Sequence, residues 1–402
     1  MAICLVFGTL ALLIWVGIAL HPARPWDFRP VGEDNVLPLE PYQWPSVQVL
    51  IPARNEASML RETLPSLLNQ DYPGPFSVSV IDDRSQDQTA TVAATIAEHA
   101  QAIDRLRVVS GTALPAGWVG KVWALQQGAV TCGFAPGSNE SLPDYLLLTD
   151  ADIWHAPNSL RHLVIESEAE QLALNSRMAR LRCVSFAERL LIPPFVFFFI
   201  LLYPPRWVND PRKTTAASAG GCVLLSSQGL IRIGGFEALR DQIIDDVTLG
   251  QLVKEVGLPI RLCLSRTDVK SLRVYDTVDS IWRMVRRTAF TELNYSWLRL
   301  IGTVVGLAVA FGLPPLFFLC GLVFFGLPSV VDAEVSARLA LLLMLEGGIA
   351  WGLMTTVYLP GVRFFDLRSV WGFSLPLAAM LYEAMTLDSA FRHLRKKRVD
   401  WR

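Results

Sequence analysis

Asp150 and Asp152 stand two residues apart at the end of the apolar run Tyr145 to Leu148. In a regular strand their side chains would point to one side, and a turn at that point can converge them on one ion. Oxygen ligands of this kind suit Mg²⁺ or Mn²⁺, and an ion bridging two phosphates neutralises a departing diphosphate. A bare pair of turn acids is also a common surface feature, so the pair gains meaning only from its neighbours. Asp82-Asp83 closes an earlier apolar run, with Ser85 and Asp87 just beyond. A carboxylate there can accept hydrogen bonds from a base or ribose, or can simply cap a turn. Lys121 follows Gly120 at a turn-to-helix boundary, where a cation can meet phosphate or be an ordinary surface lysine.

Asp245-Asp246 precedes a helical apolar pattern, Val247, Leu249, Leu252 and Val253. Acids at a helix start stabilise its dipole; alternatively, one of them deprotonates a hydroxyl while the other holds the geometry. Arg283 and Arg286 share a helical face by their spacing, with Arg287 beside them. They can clamp a diphosphate, with Arg287 meeting lipid phosphate, or serve as the basic flank of a membrane segment.

These residues need a scaffold, and the runs between them supply one. Ser46 to Pro52 reads as a strand, Met59, Leu60, Leu64 and Leu67 mark a helix, and Phe76 to Ile81 reads as a second strand. Thr89 to Ala102 is the next helical stretch, followed by short strands at Leu106 to Val109 and Tyr145 to Leu148. Strand, helix, strand predicts a parallel α/β sheet, and acids at strand ends fall where open α/β sheets bind ligands. No GxxxxGK[ST] loop and no strand-coupled GxGxxG fingerprint is present, which disfavours kinase-like and ordinary NAD-dependent chemistry. Ala135 to Pro143 reads as a solvent loop.

The 402 residues are 52% hydrophobic and only 18% charged, and the apolar residues gather toward the two ends. A net charge of -1 does not suit a general nucleic-acid binder. The cysteines are scattered without a CxxC pair, so neither a zinc site nor a disulfide framework is expected. Ile3 to Leu20 approaches the length of a spanning helix and is followed by Arg24 and Arg29, which predicts a retained anchor with the central domain in the cytoplasm. From Leu298 to Val331 one helix at ~1.5 Å per residue would greatly exceed a hydrocarbon core of about 30 Å, and Gly312-Leu313-Pro314-Pro315 predicts a break into two, with a single steep or kinked helix as the alternative. Leu339 to Leu359 and Val370 to Met385 complete four C-terminal helices and five spans, ahead of a basic cytoplasmic tail with Arg392, Arg395, Lys396, Lys397 and Arg398. Leu190 to Leu202, edged by prolines, is too short for an ordinary span and reads as a core helix or a segment resting in the membrane surface. The division is a membrane anchor at 1–22, a catalytic domain at 43–290, a membrane region at 291–390 and a tail at 391–402.

The ordered set Ile51-Pro52-Ala53-Arg54-Asn55-Glu56, Ile81-Asp82-Asp83-Arg84-Ser85, Gly120-Lys121, Thr149-Asp150-Ala151-Asp152, Gly234-Gly235-Phe236 and Asp245-Asp246-Val247-Thr248-Leu249-Gly250 resembles family 2 glycosyltransferases of GT-A fold. The resemblance runs from Val49 through Arg287. It is to membrane enzymes similar to ceramide glucosyltransferase and, through Trp118-Val119-Gly120-Lys121, the Phe195 insert and the tail, to bacterial glycosyltransferases associated with hopanoid biosynthesis. It implies a multi-pass enzyme of a bacterial inner membrane that passes a sugar, with inversion, from a nucleotide-diphosphate donor such as a UDP-sugar to a lipid or terpenoid acceptor. It further implies Mg²⁺ or Mn²⁺ on Asp150 and Asp152. The donor would lie against Pro52, Arg54, Glu56, Asp83, Lys121 and Asp150. Asp246 would be the base, with Asp245, Arg283 and Arg286 also serving catalysis. The family's Q/R-x-x-R-W element is matched by Arg283 to Arg286, but Arg287 replaces its tryptophan, while Trp282 lies just before. A processive polysaccharide synthase and a noncatalytic membrane scaffold are the alternatives.

Overall fold

The computed structural model describes residues 2–29, 39–135, 141–326 and 333–395. Most of the predicted solvent loop 135–143 and the tail residues Lys396, Lys397 and Arg398 therefore lie outside the described residues. The chain forms two compact units. Among the described residues, one comprises those from Arg29 to Arg182 together with Pro205–Val274, the other residues 2–28, Cys183–Pro204 and the residues from Tyr275 to Arg395. The division is not linear: Cys183–Pro204 and residues 275–290 fall within the stretch 43–290 but pack with the apolar helices.

Elements are numbered along the whole chain. In the α/β unit the strands are β1 (Val47–Ala53), β2 (Phe76–Asp82), β3 (Leu106–Ser110), β4 (Tyr145–Thr149), β5 (Ile153–His155), β6 (Leu174–Met178), β7 (Cys222–Ser226), β8 (Ile260–Leu264) and β9 (Val269–Ser271). Its helices are α2 (Ala57–Leu68), α3 (Thr89–His99), α4 (Gly120–Val130), α5 (Ser159–Glu170), α7 (Pro205–Val208), α8 (Ser227–Arg232) and α9 (Asp245–Glu255). The main sheet runs β3-β2-β1-β4-β7-β6-β8, and β5 pairs with β9 in a small second sheet. β1 pairs in parallel with β2 and β4, and all seven of its residues are buried, as expected of a central strand covered on both faces. β7 then runs antiparallel to both β4 and β6. Leu60, Leu64 and Leu67 of α2 pack against Val49, Val78, Leu147 and Leu160 in the core.

Helix α2 has no side-chain cap of its own. The backbone N–H groups of Asn55, Glu56 and Ala57 instead donate to Ser85 Oγ, Thr89 Oγ1 and Asp87 Oδ2 at 2.8, 3.0 and 3.1 Å. The loop after β2 thus satisfies donors that the start of α2 leaves open, which locks two strand-end loops together.

The helical unit contains α1 (Ala2–Leu20), α6 (Phe186–Leu202), α10 (Val278–Glu292), α11 (Trp297–Leu307), α12 (Leu313–Gly326), α13 (Ala333–Phe364) and α14 (Leu375–Leu394). Among the described residues five stretches are long and apolar enough to cross a membrane: Ile3–Leu20, Phe186–Val208, Trp297–Phe324, Ala337–Phe364 and Ser369–Leu394. The expected number holds, but its distribution is corrected in two places. The predicted break at Gly312–Pro315 is absent, because α11 passes through a π-helical turn, Ala308–Gly312, directly into α12. The Leu313 N–H donates to the Ala308 carbonyl. Pro314 cannot donate to the Ala310 carbonyl one turn back, and the Trp15 indole Nε1 takes that acceptor at 2.6 Å. The second correction is at Leu190 to Leu202, where the helix is longer than the apolar run. A capping box between Ser185 and Glu188 starts it at Phe186, and Pro193 and Pro194 are carried inside it.

Candidate active site

Asp82 ends β2, Asp83, Asp150 and Asp152 sit on loops that follow strands, and Asp245 and Asp246 open α9. Asp246 is the most firmly held. Its Oδ2 accepts the Gly220 N–H at 2.7 Å and its Oδ1 the Val247 N–H at 2.9 Å, while Ser218 Oγ donates to its backbone carbonyl at 2.6 Å. Asp245 and Asp246 occupy the first turn of α9, where the helix dipole favours negative charge. One turn later Gly250 lets α9 lie directly on the chain before β7: a Cβ there would stand 2.5 Å from the Ala217 carbonyl carbon and 2.8 Å from the Ser218 nitrogen. Gly220 meets the same face, its Cβ position lying 3.1 Å from both Asp246 Oδ2 and Lys121 Nζ.

Lys121, on the first turn of α4, reaches across to Asp150 Oδ1 at 2.9 Å and Asp245 Oδ2 at 3.5 Å. Pro52, Lys121, Asp150, Gly220, Asp245 and Asp246 line one small pocket. Burial opposes charge on Lys121, Asp245 and Asp246. It would lower the Lys121 ammonium, but Asp150, Asp245 and Asp246 outweigh it and hold the ammonium above the usual lysine range. Burial raises the Asp245 carboxyl to about 6 against the opposing pull of Lys121, and raises Asp246 as well, with Lys121 and the two backbone donors pulling back.

Asp150 and Asp152 lie in the turn between β4 and β5 and make different contacts. Asp152 Oδ2 accepts from Ser271 Oγ at 2.6 Å, and its Oδ1 is 3.6 Å from Arg273 Nη2. Arg273 also pairs with Glu56 Oε1 at 2.7 Å. Burial raises the Glu56 carboxyl; Arg273 opposes this, and Asp152 and Asp150 add to it, so the three acids share one field. Thr63 Oγ1 donates to the Ala151 carbonyl at 2.6 Å, fixing this turn to α2. Asp83, 4% exposed, lies 3.4 Å from Arg54 Nη1, and burial lifts its carboxyl despite Arg54 and Arg84.

The α/β unit thus brings Pro52, Lys121, Asp150, Asp245 and Asp246 together, joins Glu56 to Asp152 through Arg273, and pairs Arg54 with Asp83. Arg283 and Arg286 belong to α10 of the helical unit. Arg283 pairs with Asp279 at 2.9 Å, and Arg286 lies 3.2 Å from Asp388 Oδ2, which also accepts from Trp282 Nε1 at 2.8 Å. Sequence reading missed Gly220, Ser271 and Arg273. The Gly220-Gly221 pair before an apolar run is a local signal of close backbone approach. Arg273 carries none, since its partner Glu56 is 217 residues away.

Among the described residues, no group of three or more His, Cys, Asp or Glu side chains is arranged to hold a metal by itself. The donors nevertheless suit a hard divalent cation shared with a ligand: Glu56, Asp150, Asp152, Asp245 and Asp246 outnumber Lys121 and Arg273 in these ion pairs, and Mg²⁺ sites commonly take only one or two carboxylates plus phosphate oxygens and water.

An α/β sheet with acidic strand-end loops, accompanied by N-terminal and C-terminal membrane-spanning helices, is a GT-A-like architecture. Residues 48–226 match the family described as Glycosyl transferase family 2, and the chain carries that family's fold. It is similar to the mannosyltransferase PcManGT of Pyrobaculum calidifontis, solved in complex with GDP-Man and Mn²⁺, with a TM-score of 0.55 and 16% identity over 98% of this chain and 100% of that one. Among curated proteins it is 32% identical over 125 residues to the beta-monoglucosyldiacylglycerol synthase of Trichormus variabilis, covering 30% of this chain and 23% of that protein. It is also 30% identical over 148 residues to the probable glycosyltransferase YdaM of Bacillus subtilis, covering 37% and 32%. The matched stretches thus span about a quarter to a third of those relatives' lengths.

Proposed function

We propose that this chain is an inverting glycosyltransferase that passes a sugar from a nucleotide-diphosphate donor to a hydroxyl of a membrane lipid or terpenoid. The observation that carries the reading is the Asp246 carboxylate, aimed by two backbone donors into the pocket shared with Lys121 and Asp150, on a family 2 fold. Asp246 accepts the proton of the acceptor hydroxyl as that oxygen attacks the anomeric carbon. The bond from this carbon to the diphosphate oxygen breaks on the opposite face, and its electron pair leaves with the nucleoside diphosphate, so the configuration inverts. Lys121 balances the charge of the base and of Asp245 beside it. Asp83 with Arg54, and Pro52 with Glu56, form the nucleotide side of the donor site. Mg²⁺ or Mn²⁺ held by Asp150 and Asp152 would supply positive charge for the leaving diphosphate.

The membrane-spanning helices and the likeness to a relative described as a beta-monoglucosyldiacylglycerol synthase support a lipid acceptor. We assign a UDP-sugar as donor, a hopanoid or ceramide-like amphiphile as the acceptor class, and a bacterial inner membrane with the α/β unit on its cytoplasmic side, where basic residues flank the first span. The test incubates purified protein with radiolabelled nucleotide-sugars and extracted membrane lipids, followed by mass analysis of products. A single-sugar lipid supports the proposal. A ladder of polymers would instead identify a processive synthase, and donor binding without transfer a scaffold.

A further inference from the structure

Arg273 is the cation that neither the motifs nor the proposed chemistry uses. It follows β9, whose antiparallel pairing with β5 sets Ile153 opposite Ser271 and so delivers the Arg273 segment to the turn holding Asp152. The Leu272 N–H donates to the Asp152 carbonyl at 2.9 Å, Ser271 Oγ holds Asp152 Oδ2, and Arg273 Nη2 spans Asp152 Oδ1 and Glu56 Oε1. The guanidinium side chain is 35% exposed while Asp152 and Glu56 are 13% and 17% exposed. It therefore approaches from the open side onto two largely covered acids.

We propose that Arg273 is a resident counter-cation of the donor site that competes with a divalent metal for Asp152 and so sets the metal affinity. The inference rests on the reading of Asp150 and Asp152 as metal-binding acids. With the site unloaded, the guanidinium offsets the charge of Asp152 and Glu56, which lie beside Asp150 in the same field. A divalent cation approaching Asp152 Oδ1 meets that positive charge at close range and has to displace it or share the oxygen. Once displaced, Arg273 keeps Glu56 as its partner, so the loop between β1 and α2 stays tied to the chain after β9. Arg273 is thus a positioning residue, acting through Asp152 and Glu56.

The test is Mn²⁺ binding to the full chain in detergent, with no donor present, followed by electron paramagnetic resonance of the free ion. Arg273→Gln should tighten Mn²⁺ about 3-fold to 10-fold at low salt, an effect that shrinks as salt rises because the site is partly open to solvent. Arg273→Lys keeps the charge and should bind close to wild type. In an Asp152→Asn background the gain from Arg273→Gln should vanish, since the two act on one carboxylate. Thermal melting of each variant checks that it is folded. Wild-type binding with an unchanged or weaker Arg273→Gln overturns the competition while leaving the metal reading intact. No Mn²⁺ binding by any folded form, with the titration repeated in the presence of UDP to complete the ligand set, overturns both.

Discussion

Replacing Lys121 by Gln removes the ammonium that lies 2.9 Å from Asp150 and 3.5 Å from Asp245 while keeping a similar side-chain length. At an effective dielectric of about 20, a unit pair at the longer distance is worth about 5 kcal/mol before desolvation. Lys121, Asp245 and Asp150 are 18%, 17% and 36% exposed, so solvent screening and the relieved burial of Lys121 reduce the net loss to about 2 to 3 kcal/mol. The same change moves titration in a defined direction. Burial has already raised Asp245 to about 6 and raised Asp246, with Lys121 pulling both back; without it both rise further. Carboxyls whose folded values exceed their unfolded ones bind protons more readily when folded. Stability therefore falls as pH rises between the ordinary carboxyl range and the raised folded value. The variant should lose less stability at pH 5 than at pH 8. The acid limb of its transfer rate, set in the wild type by these raised carboxyls, should move upward. Thermal unfolding at both pH values and a pH-rate profile at saturating donor measure this. An acid limb that stays in place or moves down, or equal stability at pH 8, refutes the argument that Lys121 is the shared counter-ion of the acids.

Asp246→Asn, which keeps size but removes the proton acceptor, should slow transfer about 10²-fold to 10⁴-fold while sparing donor binding, whereas Asp245→Asn should be milder. Steady-state rates, donor titration and the anomeric configuration of the residual product check this, and a retained configuration would sink the direct displacement. Gly250→Ala forces a Cβ against the Ala217 and Ser218 backbone and should cost about 1 to 3 kcal/mol, read by denaturation of the detergent-solubilised protein, with transfer falling as Asp246 is displaced. Trp15→Phe keeps the ring but leaves the Ala310 carbonyl without its indole donor, and should lower the melting temperature by an amount equivalent to about 1 to 2 kcal/mol.

The sequence by itself determined the α/β class and the strand-end placement of the acids, because both follow from local periodicity and from where polar residues interrupt it. Asp83 follows β2, Asp150 and Asp152 follow β4, and Asp245 and Asp246 open α9, as their spacing indicates. Apolar length likewise indicated that the chain carries several helices able to span a membrane. It could not determine where they fall, because a carbonyl orphaned by Pro314 can be satisfied by Trp15, some 295 residues distant. Only the tertiary structure decided which acids share a cation. Lys121 joins Asp150 to Asp245 because β7 runs antiparallel beside β4 and carries Gly220 under α9, and Arg273 joins Glu56 to Asp152 because β9 pairs with β5. Periodicity reports which face of an element is buried, whereas an ion pair between distant residues depends on strand order and direction, which no local pattern encodes.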